Sequence, residues 1–297
     1  MGSGRWDAHS FACYSRAAGR TFDDTSGAVT GGQSFDARCL CDELNPKNVV
    51  RECANNEEHP NTVPVILALD VTGSMGAACQ ECAEKLNVLM KDLYEKFEDV
   101  EFCVMGIGDL AYDDAPIQAS QFESDIRIAE QLDKVYMEHG GGGNNFESYT
   151  AAWYFGLHNT KLDCFDKQGR KGVIITMGDE PMNPYLPHLQ LNEVLGSKEQ
   201  ADVETKDLYK KVLEKFEVYH IGVNSPKNMW YHHEADIRKT WKPLLGQNYC
   251  ESSVENLVKT ITNCISDAIE KRNAVTGSLF SGFGGNVQLN ENNEITW

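Results

Sequence analysis

Val63-Pro64-Val65-Ile66-Leu67-Ala68-Leu69-Asp70-Val71-Thr72-Gly73-Ser74-Met75-Gly76 is the stretch whose reading decides the fold of this chain. An apolar run that ends at a turn reads as a strand buried on both faces. This one closes on a carboxylate, Asp70, and Thr72 and Ser74 follow at alternate positions. A glycine-rich turn then leads into a helical pattern, with Cys82, Leu86, Leu89, Met90, Leu93 and Phe97 on one face. Asp, Thr and Ser at n, n+2 and n+4 can aim one carboxylate and two hydroxyls at a single point. Those are hard oxygen ligands, the kind that Mg²⁺ takes while keeping water or an outside ligand in its remaining positions.

Outward from this stretch, strands are expected over 101–108, 171–177 and 218–223, with a short edge strand near 117–122. Helices are expected from Ser124 as cap through Val135, from near Phe146, over 199–216 and over 253–271. The last of these carries Val254, Leu257, Val258, Ile261, Ile265 and Ile269 on one face. Strands that alternate with helices imply an α/β fold, a doubly wound, mostly parallel sheet with helices on both faces. In such sheets ligands bind beyond the carboxyl ends of the strands. Asp70, Asp109 and Asp179 all fall at such ends, and a loop of four glycines, Gly140 to Gly143, precedes a helix. Three units are expected: an irregular, Gly-, Ser-, Asp- and Asn-rich N-terminal extension over 1–60, the α/β domain over 61–272, and a tail or added strand over 273–297.

The Asp70-x-Thr72-x-Ser74 loop resembles the metal-ion-dependent adhesion site of von Willebrand factor A domains, whose first loop reads D-x-S/T-x-S. Gly142-Gly143-Asn144-Asn145-Phe146-Glu147-Ser148 stands where many such domains carry a Gly-Gly-Thr turn, and it has no Thr there. Thr176-Met177-Gly178-Asp179 stands in place of a Thr-Asp-Gly turn, with the Asp two residues later. A divergent intracellular branch is similar, with a GGG loop, a following acidic residue and a strand that ends in G-D-x-P. Residues 1–180 further resemble uncharacterised bacterial and phage A-domain proteins. The resemblance implies an A-type, Rossmann-like fold and a Mg²⁺ site (Mn²⁺ or Ca²⁺ as alternatives) formed by Asp70, Thr72, Ser74, Glu147 and Asp179, with Asn145 as the second choice for the middle loop. It also implies a binding module rather than an enzyme, in which the metal accepts a carboxylate from a partner protein. Three direct carboxylates would leave the site negative and repel that carboxylate, whereas a water-held Glu147 or an Asn145 would leave it neutral. A first-turn acid that stabilises the helix dipole is the plainer reading of Glu147.

Two rival functions fit parts of the same pattern. A haloacid-dehalogenase-like phosphatase would use Asp70 as nucleophile and Asp179 as Mg²⁺ ligand, but Thr72 stands where its general acid belongs and Asn183 replaces a later acid. A carboxylate nucleophile without that partner loses roughly 10²- to 10⁴-fold. A structural or assembly protein would keep the site as a vestige. Asp109, Asp113 and Asp114 read either as groups that hold metal-bound waters or as solvated loop acids.

The bulk composition narrows the class. A formal charge of −18 over 297 residues argues against a protein that grips nucleic-acid backbones. No apolar run reaches the roughly 18 residues of a membrane span, and the N-terminus lacks a signal-peptide layout. Met1-Gly2 begins a myristoylation pattern, but Trp6 stands where that pattern needs Ser or Thr. A cytoplasmic protein is therefore expected, with its oligomeric state open and its 10 cysteines reduced by default. Cys39, Cys41 and Cys53 with His59 form the candidate zinc set; His232 and Asp236 lie one helical turn apart in an aromatic loop but lack a third ligand.

Overall fold

The computed structural model describes residues 4–31, 35–97, 99–138 and 146–281, with side chains through residue 274. The glycine loop and Asn145 lie outside the described residues, as do 282–297 of the expected tail.

In chain order the helices are α1 (Ala8–Ala17), α2 (Gly76–Glu84), α3 (Leu86–Tyr94), α4 (Arg127–Asp133), α5 (Ala151–His158), α6 (Asp163–Asp166), α7 (His188–Leu195), α8 (Thr205–Lys215), α9 (Trp230–Leu245) and α10 (Leu257–Ser281). The strands are β1 (Thr21–Phe22), β2 (Val29–Thr30), β3 (Arg51–Cys53), β4 (Val63–Asp70), β5 (Val100–Ile107), β6 (Ile117–Ala119), β7 (Thr160–Leu162), β8 (Gly172–Gly178), β9 (Tyr185–Leu186), β10 (Val203–Glu204), β11 (Phe216–Asn224) and β12 (Tyr249–Ser253). Six of them form the central sheet in the order β12-β11-β8-β4-β5-β6, parallel throughout except for the antiparallel edge pair β5–β6. The chain steps from β4 outward to β5 and then returns to the other side of β4 with β8.

Every residue of β4, β5 and β8 is buried, which the apolar runs require. Side chains alternate between the faces of a strand, so each strand feeds two cores. Val65, Leu67 and Leu69 pack with Met90 and Leu93 of α3 and with Leu257, Ile261 and Ile265 of α10. Ile66 and Ala68 pack with Trp153 and Phe155 of α5, Val212 of α8 and Trp241 of α9.

Several expected elements shift for identifiable reasons. The N-terminal segment is not irregular throughout: Asp7 Oδ2 accepts the Ser10 amide at 2.8 Å and caps α1. Phe11 buries in the first core, while Trp6 Nε1 donates to Asn87 Oδ1 at 2.8 Å. The helix expected from 76 to 97 breaks at Lys85 into α2 and α3. Ser124 does not cap α4; its hydroxyl donates to the Gly4 carbonyl, and the helix begins at Arg127. α8 begins at Thr205 rather than 199, and α10 runs past 271 to Ser281. Trp230-Tyr231-His232-His233-Glu234, expected as a loop, opens α9.

Candidate functional site

Parallel pairing fixes the site. Asp70 pairs with Ile107 across β4–β5, and Leu69 pairs with Met177 across β4–β8. Asp70 and Asp179 therefore emerge side by side at the carboxyl rim, beside the strand where the chain reverses its outward direction.

The first loop wraps Asp70. The Thr72 amide donates to Asp70 Oδ1 at 2.9 Å and the Thr72 hydroxyl to the same oxygen at 2.6 Å. A 3₁₀ turn over Gly73–Met75 then lifts Ser74, whose hydroxyl lies 3.5 Å from that of Thr72. Ser74 Oγ donates to Asp179 Oδ1 at 3.1 Å, which joins the first loop to the loop after β8. The backbone amide of Met229, just before α9, donates to Asp179 Oδ2 at 2.7 Å. Asp70, Thr72, Ser74 and Asp179 thus come together at one point of the rim.

Tyr149 completes the enclosure, and the sequence alone gave no sign of it. Its hydroxyl donates to Asp70 Oδ2 at 2.6 Å. Its ring packs edge-on to His220 and tilts against Trp241, with centroids at 5.3 Å and 5.8 Å. A Cβ at position 178 would stand 2.1 Å from the Tyr149 oxygen. Gly178 is therefore the vacancy through which the phenol reaches Asp70.

Glu147 is buried at 7% exposure and bridges backbone-to-backbone with Met182. Among the described residues its Oε2 has no hydrogen-bond partner, and neither has Oε2 of Glu180, a residue the sequence did not mark as a candidate. His233 Nε2 is 3.9 Å from that Glu180 oxygen, and no Lys or Arg pairs with Asp70, Glu147, Asp179 or Glu180 among the described residues. Asp109 and Asp113 structure their own loop: Asp109 Oδ1 accepts the Ala111 amide at 2.8 Å, and Asp113 Oδ2 accepts the Asp109 amide at 2.7 Å.

Burial dominates the electrostatics. Desolvation and then the charge of Asp179 push Asp70 well above the usual carboxylate range. Desolvation, then Asp70, Asp113 and Asp109, push Glu147 up further. Desolvation also raises Asp179, against its hydrogen bonds from Met229 and Ser74, and Glu180 rises to about 8. Buried carboxylates that lack cationic partners hold either protons or a cation. Among the described residues no three His, Cys, Asp or Glu side chains gather as a ready-made metal cage. Asp70, Asp179 and the hydroxyls of Thr72 and Ser74 are hard-oxygen groups of the kind a divalent cation takes.

The cysteine–histidine set does not gather. Cys53 Sγ donates to Glu101 Oε2 at 3.1 Å, and His59 spends its ring on Gly4 O at 2.9 Å and Asp99 Oδ1 at 3.3 Å. His232 and Asp236 lie on α9.

No protein-family model matches the chain, and no curated protein does. Solved structures with similar coordinates include the pilus adhesin SpaC from Lactobacillus rhamnosus GG in its open conformation. It has a TM-score of 0.48 and 11% identity over 76% of this chain and 31% of that one. A second structure of that adhesin gives 0.46 and 15% over 74% and 32%. Proximal thread matrix protein 1 from the mussel byssus gives 0.41 and 15% over 70% and 46%. The chain spans less than half the length of each of these proteins. No helix among the described residues is long and apolar enough to cross a membrane.

Proposed function

We propose that this chain is a divergent von Willebrand factor A-type domain, doubly wound about its central sheet, that acts as a metal-dependent protein-binding module in the cytoplasm. The observation that carries the reading is the Ser74-to-Asp179 hydrogen bond, which joins two loops 105 residues apart at the hydroxyl pair of Thr72 and Ser74. Asp70, Thr72, Ser74 and Asp179 would hold Mg²⁺, with Mn²⁺ or Ca²⁺ as alternatives, and Glu147 would stand behind it. When bound, the cation would supply an open coordination position for a carboxylate oxygen of a partner protein. Asp70 and Asp179 balance a divalent charge between them. Glu147, raised by desolvation and then by Asp70, would add no charge in its protonated form and would then leave the site open to an anion. Tyr149 holds Asp70 in place, and the Met229 amide holds Asp179.

The phosphatase alternative gains nothing from this geometry. Thr72, placed where that chemistry needs a proton donor to the leaving group, donates to Asp70 instead. The assembly alternative is separated by experiment. A ligand that binds only the native state at 100 times its dissociation constant adds about 2.7 kcal/mol of stability. Mg²⁺ titration should raise the thermal midpoint of the wild-type chain and leave Asp70→Ala unmoved. Partner capture from a native extract should then be lost on chelation and in Asp70→Ala. Absence of any Mg²⁺-, Mn²⁺- or Ca²⁺-induced shift at millimolar concentration would leave the assembly reading.

A further inference from the structure

Away from the rim, the half-buried Cys250 of the edge strand β12 faces the buried Cys264 of α10 with their sulfurs 3.8 Å apart. We propose that Cys250 and Cys264 form a reversible oxidation site, closed to a disulfide by a hydroperoxide. The geometry assigns unequal roles. Cys250 is the thiol that a small oxidant reaches, because it is half-buried where Cys264 is buried and because β12 ends the sheet among the described residues. Cys264 lies beneath it against α10's own core residues Ile261, Ile265 and Ala268. The hydrogen bond between the two thiols lowers Cys250, with Lys271 adding to the effect and burial and Asp267 opposing it. Cys264 is raised in turn. One reactive thiolate beside one resolving thiol is the arrangement that oxidation to a disulfide uses.

The chemistry balances without any further component. The Cys250 thiolate attacks the distal oxygen of the hydroperoxide; the O–O bond breaks, the alcohol or water leaves, and Cys250 becomes a sulfenic acid. The Cys264 thiol then attacks that sulfur, the S–O bond breaks, and water departs with the thiol proton. Two thiols have given up two electrons and two protons to one peroxide. The sulfurs lie 3.8 Å apart, and closure shortens that separation to a bond of about 2.05 Å. Disulfide exchange with a small thiol reverses it. Other cysteines serve as internal controls: Cys13 and Cys39 are exposed, and Cys79, Cys103 and Cys164 are buried.

The test treats the full chain with stoichiometric hydrogen peroxide, blocks the remaining thiols by alkylation, and maps them by peptide mass spectrometry. The expected result is joint loss of alkylation at Cys250 and Cys264, a mass lower by two hydrogens, and a cross-linked peptide that dithiothreitol releases. In Cys264→Ala, Cys250 should stop at a sulfenic acid that a dimedone probe captures, formed more slowly than in the wild-type chain because the hydrogen bond that lowers its thiol is gone. In Cys250→Ser, whose change lies at the half-buried edge, Cys264 should stay fully alkylated after the same treatment. Oxidation of Cys264 in Cys250→Ser at the wild-type rate would overturn the proposal. So would full alkylation of both positions while exposed Cys13 and Cys39 are consumed.

Discussion

Tyr149 shows how one side chain can hold a buried carboxylate in place. Its hydroxyl fills one side of Asp70 while Thr72 fills the other. Removing only that hydroxyl leaves the ring packing intact and takes one hydrogen bond from a buried acceptor, a loss of roughly 1–3 kcal/mol. Tyr149→Phe should lower the urea midpoint by that amount, and under the proposed function it should also weaken Mg²⁺ binding measured by calorimetry. Gly178 is the complementary position. A methyl there would press on the Tyr149 oxygen, so Gly178→Ala should cost about 1–3 kcal/mol as overpacking, read in the same unfolding experiment. Gly178→Ala in the Tyr149→Phe background should cost less, because the clashing oxygen is gone.

The elements that were legible in the sequence are those whose signal is local. β4, β5, β8 and β11 are apolar runs because both of their faces are covered, and their ends match the expected strands to within one or two residues. α10 declares itself through a continuous apolar stripe. α9 does not, because only Trp230, Ile237, Trp241 and Leu245 bury across 16 residues. Two tryptophans replace the usual stripe, and the polar remainder reads as a loop. α1 was missed for a similar reason: its buried positions are Phe11, Ala12 and Ser15, and two of these carry little hydrophobic signal. β12, Tyr-Cys-Glu-Ser-Ser, is an edge strand whose polar residues hide it. The weight that α9 places on few residues gives a prediction. Trp241 stacks on His220 at 3.6 Å and is fully buried, so Trp241→Ala should cost about 3–5 kcal/mol in chemical denaturation. Leu189, exposed at 68% on α7, should tolerate Ala within about 0.5 kcal/mol.

At the scale of the whole molecule, buried acids set the response to pH. Glu101, 2% exposed beside Cys53 and His59, is pushed up by desolvation from 4.5 to about 7. A raised carboxyl holds its proton more tightly in the folded chain than in the unfolded one. Its contribution is therefore complete below about 4.5 and is lost as pH rises through about 7. At 1.36 kcal/mol per unit, the loss is on the order of 3 kcal/mol. Asp70, Glu147, Asp179 and Glu180 shift in the same direction, so the metal-free chain should lose stability from pH 5 to pH 8, as urea midpoints would record. Glu101→Gln should flatten its share of that slope. Under the proposed function, stabilisation by Mg²⁺ should grow over the same interval, since the cation competes with protons for these oxygens.

The sequence by itself determined the buried strands and the placement of Asp70 and Asp179 at strand ends. It also determined the local grip of Thr72 on Asp70, because strand burial and a two-residue spacing are properties of neighbouring residues. Tertiary structure alone decided that Ser74 meets Asp179 across 105 residues, Tyr149 meets Asp70 across 79, and the Met229 amide meets Asp179 across 50. Those encounters depend on strand order and on the depth of β8 beside β4, and no local pattern in the chain encodes them. Asp179 reaches the rim because β8 ends one residue before it at Gly178.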